Sequence, residues 1–293
     1  MKKRAVIAYA KLIAIGMTVA SLALLAWNIA YAAVEGKNSR GDTECVELPI
    51  LMYHSILDST AKAGDYIITP AVLEADLLYL REQGYETVLI SDLIRYVNGE
   101  GDLPEKPVLL TFDDGYYNNY SYLYPLLQKY DMKAVISIIG KCTEYFSSGE
   151  EKMNNNYAYL TWQQLEEMMN SGLVEVQNHT YNLHGKNTRF GLVKAAGESV
   201  GDFYSYVSED LELMQAKMQE NLHQRPTALA YPFGALSKDT ETLARHLGFS
   251  CTLTCYEKLN IIEKGNPDSL YCLGRVNREY GPSTQEILNR IYK

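Results

Sequence analysis

The chain has 293 residues, 47% hydrophobic and 22% charged, a balance that suits a globular domain with a substantial core and excludes a disordered chain. Net charge is -9, with acids and bases mixed and no basic tract, which argues against nucleic acid as a partner. An acidic surface of this kind is neutral toward an uncharged substrate.

The N-terminus reads as a separate object. Lys2, Lys3 and Arg4 precede an apolar run from Leu12 to Ala33 that carries no charge. As a helix this run would extend roughly 33 Å, enough to cross a hydrocarbon core of about 30 Å. The same segment ends in a small-x-small site, Ala30-Tyr31-Ala32, of the kind a secretory peptidase cleaves. Residues 1–34 are therefore expected to be a signal anchor or a signal peptide, residues 35–47 a linker, and 48–293 an exported domain, membrane-anchored or secreted according to cleavage.

Downstream, strand-like segments at 48–54, 87–90, 108–112, 133–139, 174–177, 227–231, 250–254 and 271–276 alternate with helical patterns. The latter lie at 70–84, 91–98, 120–130, 161–171, 201–223, 239–248 and 283–292. This βα rhythm predicts a parallel sheet, and a helix after most of some seven strands favours a closed or nearly closed barrel. In such a fold the functional face lies at the C-terminal ends of the strands. Phe203, Val207, Leu211, Met214 and Met218 recur at helical spacing and read as core contact of the 201–223 helix. Five cysteines have no paired zinc-ligand spacing and leave their connectivity open.

The predicted strand ends carry the chemistry. The first ends at His54, the third at Asp113-Asp114-Gly115, the fifth at His179 and His184, and the sixth at Tyr231-Pro232-Phe233-Gly234. Adjacent carboxylates after an apolar strand read either as an acidic turn or as a site, since an ionised carboxylate is costly to bury without a partner or a metal. Histidines five apart lie on different faces of a helix or strand, so they converge only through a curled loop. With Asp114 beside them, two imidazoles and a carboxylate make a three-ligand set with an open position, the pattern of catalytic metals. Among Tyr116, Tyr117, Tyr120, Tyr122 and Tyr124, core packing accounts for Tyr120 and Tyr124, which share a helical face, and Tyr116 is the one expected at the cleft.

Thr111-Phe112-Asp113-Asp114-Gly115-Tyr116 resembles the first signature of the polysaccharide deacetylases, the NodB-homology carbohydrate esterases. His179-Thr180 with His184 is similar to their second motif, and Tyr231-Pro232-Phe233-Gly234 to their third. The resemblance runs from about Leu48 to the C-terminus and implies a distorted (β/α)7 barrel. It implies Asp113 as general base, Asp114, His179 and His184 as ligands of a divalent metal (zinc, with cobalt or nickel as alternatives), and the Phe233 amide as an oxyanion donor beside Tyr231. Three departures stand out. The histidine spacing is five where four is common, as in the branch resembling poly-N-acetylglucosamine deacetylases. Ala230 occupies the position of an arginine that steers the base; Arg275 is the candidate replacement, beside a structural or surface role. The late Leu-x-His motif is absent, since Leu273-Gly274-Arg275 has no histidine, and His54 is inferred to be a permuted general acid, with a backbone-satisfied buried histidine as the alternative. The activity implied is removal of N-acetyl groups from an N-acetylglucosamine-containing polysaccharide. A de-O-acetylase and a catalytically silent glycan-binding or assembly protein remain the other readings.

Overall fold

A computed structural model describes residues 44–185 and 189–292. The expected N-terminal anchor or signal, and residues 35–43 of the expected linker, lie outside the described residues; residues 45–47, expected as linker, belong instead to a strand of the domain. Among the described residues, no helix is long and apolar enough to cross a membrane. Cys45 onward forms one compact unit.

Strands β1 (Cys45–Leu48), β2 (Ile50–Tyr53), β3 (Ser55–Ile56) and β4 (Ile67–Ile68) precede helix α1 (Pro70–Glu82). Then follow β5 (Glu86–Thr87), α2 (Ile90–Val97), β6 (Pro107–Asp114), α3 (Tyr124–Tyr130), β7 (Ala134–Ile138), α4 (Gly140–Ser147), α5 (Trp162–Asn170) and β8 (Val174–Asn178). The remainder is α6 (Val200–Leu222), β9 (Ala228–Ala230), α7 (Lys238–His246), β10 (Cys251–Leu253), β11 (Asn260–Glu263), β12 (Val276–Asn277) and α8 (Thr284–Leu288). Several helix starts are set by side chains. Thr69, Thr161, Ser237 and Ser283 each accept a backbone N–H from the first turn of α1, α5, α7 and α8, satisfying donors that would otherwise be orphaned.

The main sheet runs β10-β9-β8-β7-β6-β2-β12, with β5 beside the start of β6. Every pairing in it is parallel. All eight residues of β6 are buried, as expected for a strand covered on both faces. The sheet curls until its edges meet: Leu273 bridges Leu253 of β10, and three residues later Val276 pairs with Leu51 of β2. Thr254 donates to the Leu273 carbonyl at 2.8 Å and Leu273 to that of Thr252 at 2.9 Å. The expected barrel is thus a curled parallel sheet with an irregular seam, and the predicted 271–276 strand contracts to Val276–Asn277 because the chain turns through that seam.

Register decides where the site lies. Asp113 is level with Ser137, Asp114 with Ile138, and Ile138 in turn with Asn178. The residues following β6 and β8 therefore emerge on the same rim. Beneath them, Leu110, Phe112, Ile136 and Val176 join one buried cluster with Met214 and Met218 of α6. Phe203, Val207 and Leu211 of the same helix pack against Leu229 and Tyr231, as their spacing predicts.

Helix α4 is absent from the sequence-based expectation. Its first residue, Gly140, sits so close to the next layer that a Cβ there would meet Tyr181 Cδ2 at 2.7 Å, and the helix buries Gly140, Thr143 and Phe146 along one face. The antiparallel pair of β1 with β11 was also not anticipated, because the partners are far apart in sequence. The five cysteines, all within the described residues, are unpaired.

Candidate active site

Asp113 and Asp114 end β6, where strand alternation would send consecutive side chains to opposite faces. A left-handed backbone at Asp114 (φ 71°), followed by Gly115 (φ 77°), breaks that alternation and turns both carboxylates onto one rim. Gly115 is required here, because a Cβ would lie 2.7 Å from Ile138 Cγ2 in addition to the cost of its positive φ.

The two histidines converge by the curled loop that their spacing demands. Thr180 is left-handed (φ 72°), its N–H donates to Asn178 Oδ1 at 2.6 Å, and its hydroxyl accepts from Leu183 N at 3.1 Å. His179 Nε2 lies 3.6 Å and His184 Nε2 3.4 Å from Asp114 Oδ1. These three potential ligand atoms all fall within 4.8 Å of one another. His179 Nδ1 sits 2.8 Å from the Ala230 carbonyl, which can only accept, so the proton belongs on Nδ1 and the Nε2 lone pair faces Asp114. Burial lowers the His179 pKa against the opposing pull of Asp113 and Asp114, favouring the neutral, ligand form. Asp114 Oδ1 is buried with no hydrogen-bond partner. An orphaned buried carboxylate oxygen facing two imidazole nitrogens is a costly arrangement that a divalent cation would satisfy, so the donor set fits a metal.

Asp113 is held differently. Arg275 Nη1 and Nη2 donate to its two oxygens at 2.7 and 2.8 Å, a bidentate fork. The guanidinium also donates from Nε to the Thr254 carbonyl at 2.8 Å and from Nη1 to Thr111 Oγ1 at 3.2 Å. Arg275 is 0% exposed, which excludes the surface role left open by the sequence. Burial alone would raise the Asp113 pKa, but the Arg275 charge and hydrogen bonds, with His179 and His54 nearby, hold the carboxyl well below the usual range.

His54 follows β2, its carbonyl accepting from Asn119 Nδ2 at 3.1 Å and its ring meeting Tyr66 edge-on at 4.9 Å. Burial lowers its pKa, while Asp113 and Asp114 pull the other way; its Nδ1 is buried and without a hydrogen bond. Phe233 adopts φ 60° in the Pro232–Gly234 turn, and its ring packs on His184 at 4.6 Å and on Phe190 at 5.0 Å. Tyr116 stacks on Tyr159 at 5.0 Å; burial and then Asp114 push its pKa up, so it stays a neutral phenol. Tyr231 departs from its expected place. Its ring is fully buried in the cluster containing Leu192 and Phe203, so it supports the turn from behind and does not face a substrate.

Sequence reasoning missed a second buried ion pair that braces the same rim. Asp76 accepts from Arg278 at 2.8 and 2.9 Å, from Tyr53 Oη at 3.1 Å and from Thr284 Oγ1 at 2.7 Å. Tyr53 precedes His54, and Arg278 follows β12, so the network ties the first strand of the sheet to the last. Nothing near Asp76 in the sequence signals these partners.

A profile for polysaccharide deacetylases matches residues 100–252, just over half of the chain. The chain belongs to the polysaccharide deacetylase family. It is 31% identical over 240 residues to a putative polysaccharide deacetylase of Bacillus subtilis, covering 81% of this chain and 73% of that protein. It is 26% identical over 260 residues to the poly-β-1,6-N-acetyl-D-glucosamine N-deacetylase of Escherichia coli K12, covering 82% of this chain. It spans only 38% of the length of that relative. Among solved structures, the de-N-acetylase from Aggregatibacter actinomycetemcomitans superposes with a TM-score of 0.70 at 26% identity, over 83% of this chain and 99% of that one. The family match takes in Asp113, Asp114, His179, His184 and Phe233 but ends before Arg275 and begins after His54.

Proposed function

We propose that this polysaccharide deacetylase family member is a metal-dependent hydrolase that removes N-acetyl groups from an N-acetylglucosamine-containing polysaccharide, releasing acetate. The observation that carries the reading is the orphaned Asp114 oxygen facing two histidine nitrogens, next to a second carboxylate kept ionised by Arg275. The names of the relatives support the N-acetyl choice.

A divalent cation held by Asp114, His179 and His184, zinc by preference and cobalt or nickel as substitutes, would acidify water and polarise the acetyl carbonyl. Asp113 accepts the proton of the attacking water, and its fixed fork with Arg275 orients the receiving oxygen. A carboxyl held so low is a poor resting place for a proton. The buried, neutral imidazole of His54, within the field of both carboxylates, is the better carrier and delivers it to the departing nitrogen, since an amide nitrogen leaves only as an amine. The Phe233 amide, in its left-handed turn, is the donor to the acetyl oxygen as charge develops there. Tyr116 lines the cleft as a neutral hydrogen-bond donor. Residues 1–34 are read as the export signal or anchor, with 35–44 as a linker to the unit that begins at Cys45, so that the domain meets its glycan outside the cytoplasm.

The test is acetate release by the full chain, stripped and reloaded with zinc, cobalt or nickel, across N-acetylated β-1,6- and β-1,4-glucosamine polymers and an O-acetylated xylan. Release from an N-acetylated polymer is expected. Release from the O-acetylated glycan alone, or bound metal with no release from any substrate, overturns the reading.

A further inference from the structure

The two sides of the three-donor cluster are held unequally. Asp114 is the last residue of β6 and His179 directly follows β8, where the Ala230 carbonyl further fixes it. His184 lies five residues beyond His179, its side chain 25% exposed. Its ring packs on Phe233, but where its backbone stands relative to His179 is set by the intervening loop. The N–H groups of Tyr181 and Asn182 both donate at 2.7 Å to the carboxylate of Asp210 on α6. The carbonyls of Thr180 and Tyr181 accept from the first amides of α4, Gly140 and Lys141, at 3.1 and 2.9 Å. The Tyr181 hydroxyl donates to Glu144 of α4, which pairs at 2.7 Å with Lys217 of α6. The loop is thereby pinned by its amides to one helix and by its carbonyls to another.

We propose that Asp210 is a positioning residue for the metal site: by collecting two consecutive amides it folds the longer loop so that His184 is brought back beside His179 and Asp114. The inference rests on the reading of those three residues as metal ligands. Partners that orient a metal ligand directly are worth about 10- to 100-fold in metal affinity, and the loss of this acceptor, acting through the loop, is expected near the lower end of that range. Asp210→Asn keeps the size of the side chain but replaces one acceptor with an NH2 group that opposes an amide.

The measurement is zinc affinity of the full chain by competition with a chromogenic chelator, with no substrate present. Asp210→Asn should weaken binding at least tenfold, and cobalt added to it should give an altered visible spectrum. The loss should vanish in a His184→Ala background, because Asp210 acts through His184. Leu211→Ala, the neighbouring core residue of α6, should leave affinity within about twofold. The proposal is overturned if Asp210→Asn binds zinc as the parent does, if it weakens His184→Ala by the same factor, or if Leu211→Ala matches it. Should Asp210→Asn fail to fold, amide exchange in the parent decides: Tyr181 and Asn182 amides exchanging as slowly as those of β8 support the proposal, and exchange at free-loop rates sinks it. A parent chain that binds no divalent metal would instead bring down the metal site itself.

Discussion

Replacing Arg275 with Met tests how Asp113 is kept in its working state. The side chain is fully buried and supplies two hydrogen bonds to Asp113, one to the Thr254 carbonyl and one to Thr111. Removing one member of a buried pair costs about 3–5 kcal/mol, since the other charge is left uncompensated. The cost depends on pH in a defined direction. In the parent, the Asp113 pKa is depressed below the unfolded value of about 3.9, so its stabilisation is complete above that value and is lost as pH falls through the folded pKa. In the variant, burial is no longer outweighed by the guanidinium and pushes the carboxyl up, so the deficit is largest at neutral pH and shrinks toward about pH 3. Urea unfolding at the two pH values reads this directly. The double variant Arg275→Met with Asp113→Leu should recover most of the stability, as removing both partners leaves neither charge of the pair uncompensated, yet release no acetate. A deficit under about 1 kcal/mol at neutral pH, or one that does not change with pH, would refute the reasoning.

Three further outcomes are expected. Asp113→Asn should retain metal in an elemental assay yet lose acetate release; retained turnover would remove Asp113 from the role of base. His54→Phe should lower kcat by about 10²- to 10⁴-fold, the usual range for a missing acid–base group, without changing metal content, and unchanged turnover would be decisive against it. Gly115→Ala should destabilise the domain by about 1–3 kcal/mol through its positive φ, with Ile138 adding a clash, and should weaken metal binding by shifting Asp114; a melting temperature equal to the parent's would contradict the strain argument.

The seam of the sheet shows why a motif-poor stretch of sequence holds a key residue. Arg275 lies where the edges of the curled sheet meet, between Leu273 and Val276, and reaches Asp113 across 162 positions. The family arginine that Ala230 lacks is met, in geometric terms, from the far end of the chain, while the Ala230 backbone carbonyl takes up His179 instead. Tyr231 teaches the reverse: a motif residue can serve the site by packing behind it, and only burial distinguishes that from a contact.

By itself the sequence determined the alternation of strands and helices, the carboxylates and imidazoles at strand ends, the need for a curled loop between His179 and His184, and the core stripe of α6. These are properties of local periodicity and residue chemistry, which a single segment carries. Tertiary structure alone decided that Arg275 grips Asp113, that Asp76 and Arg278 tie β2 to β12, that Asp210 receives the histidine loop, and that α4 and the β1–β11 pair exist. Each of those joins elements far apart along the chain, and their meeting follows from strand order and register, which no local pattern encodes.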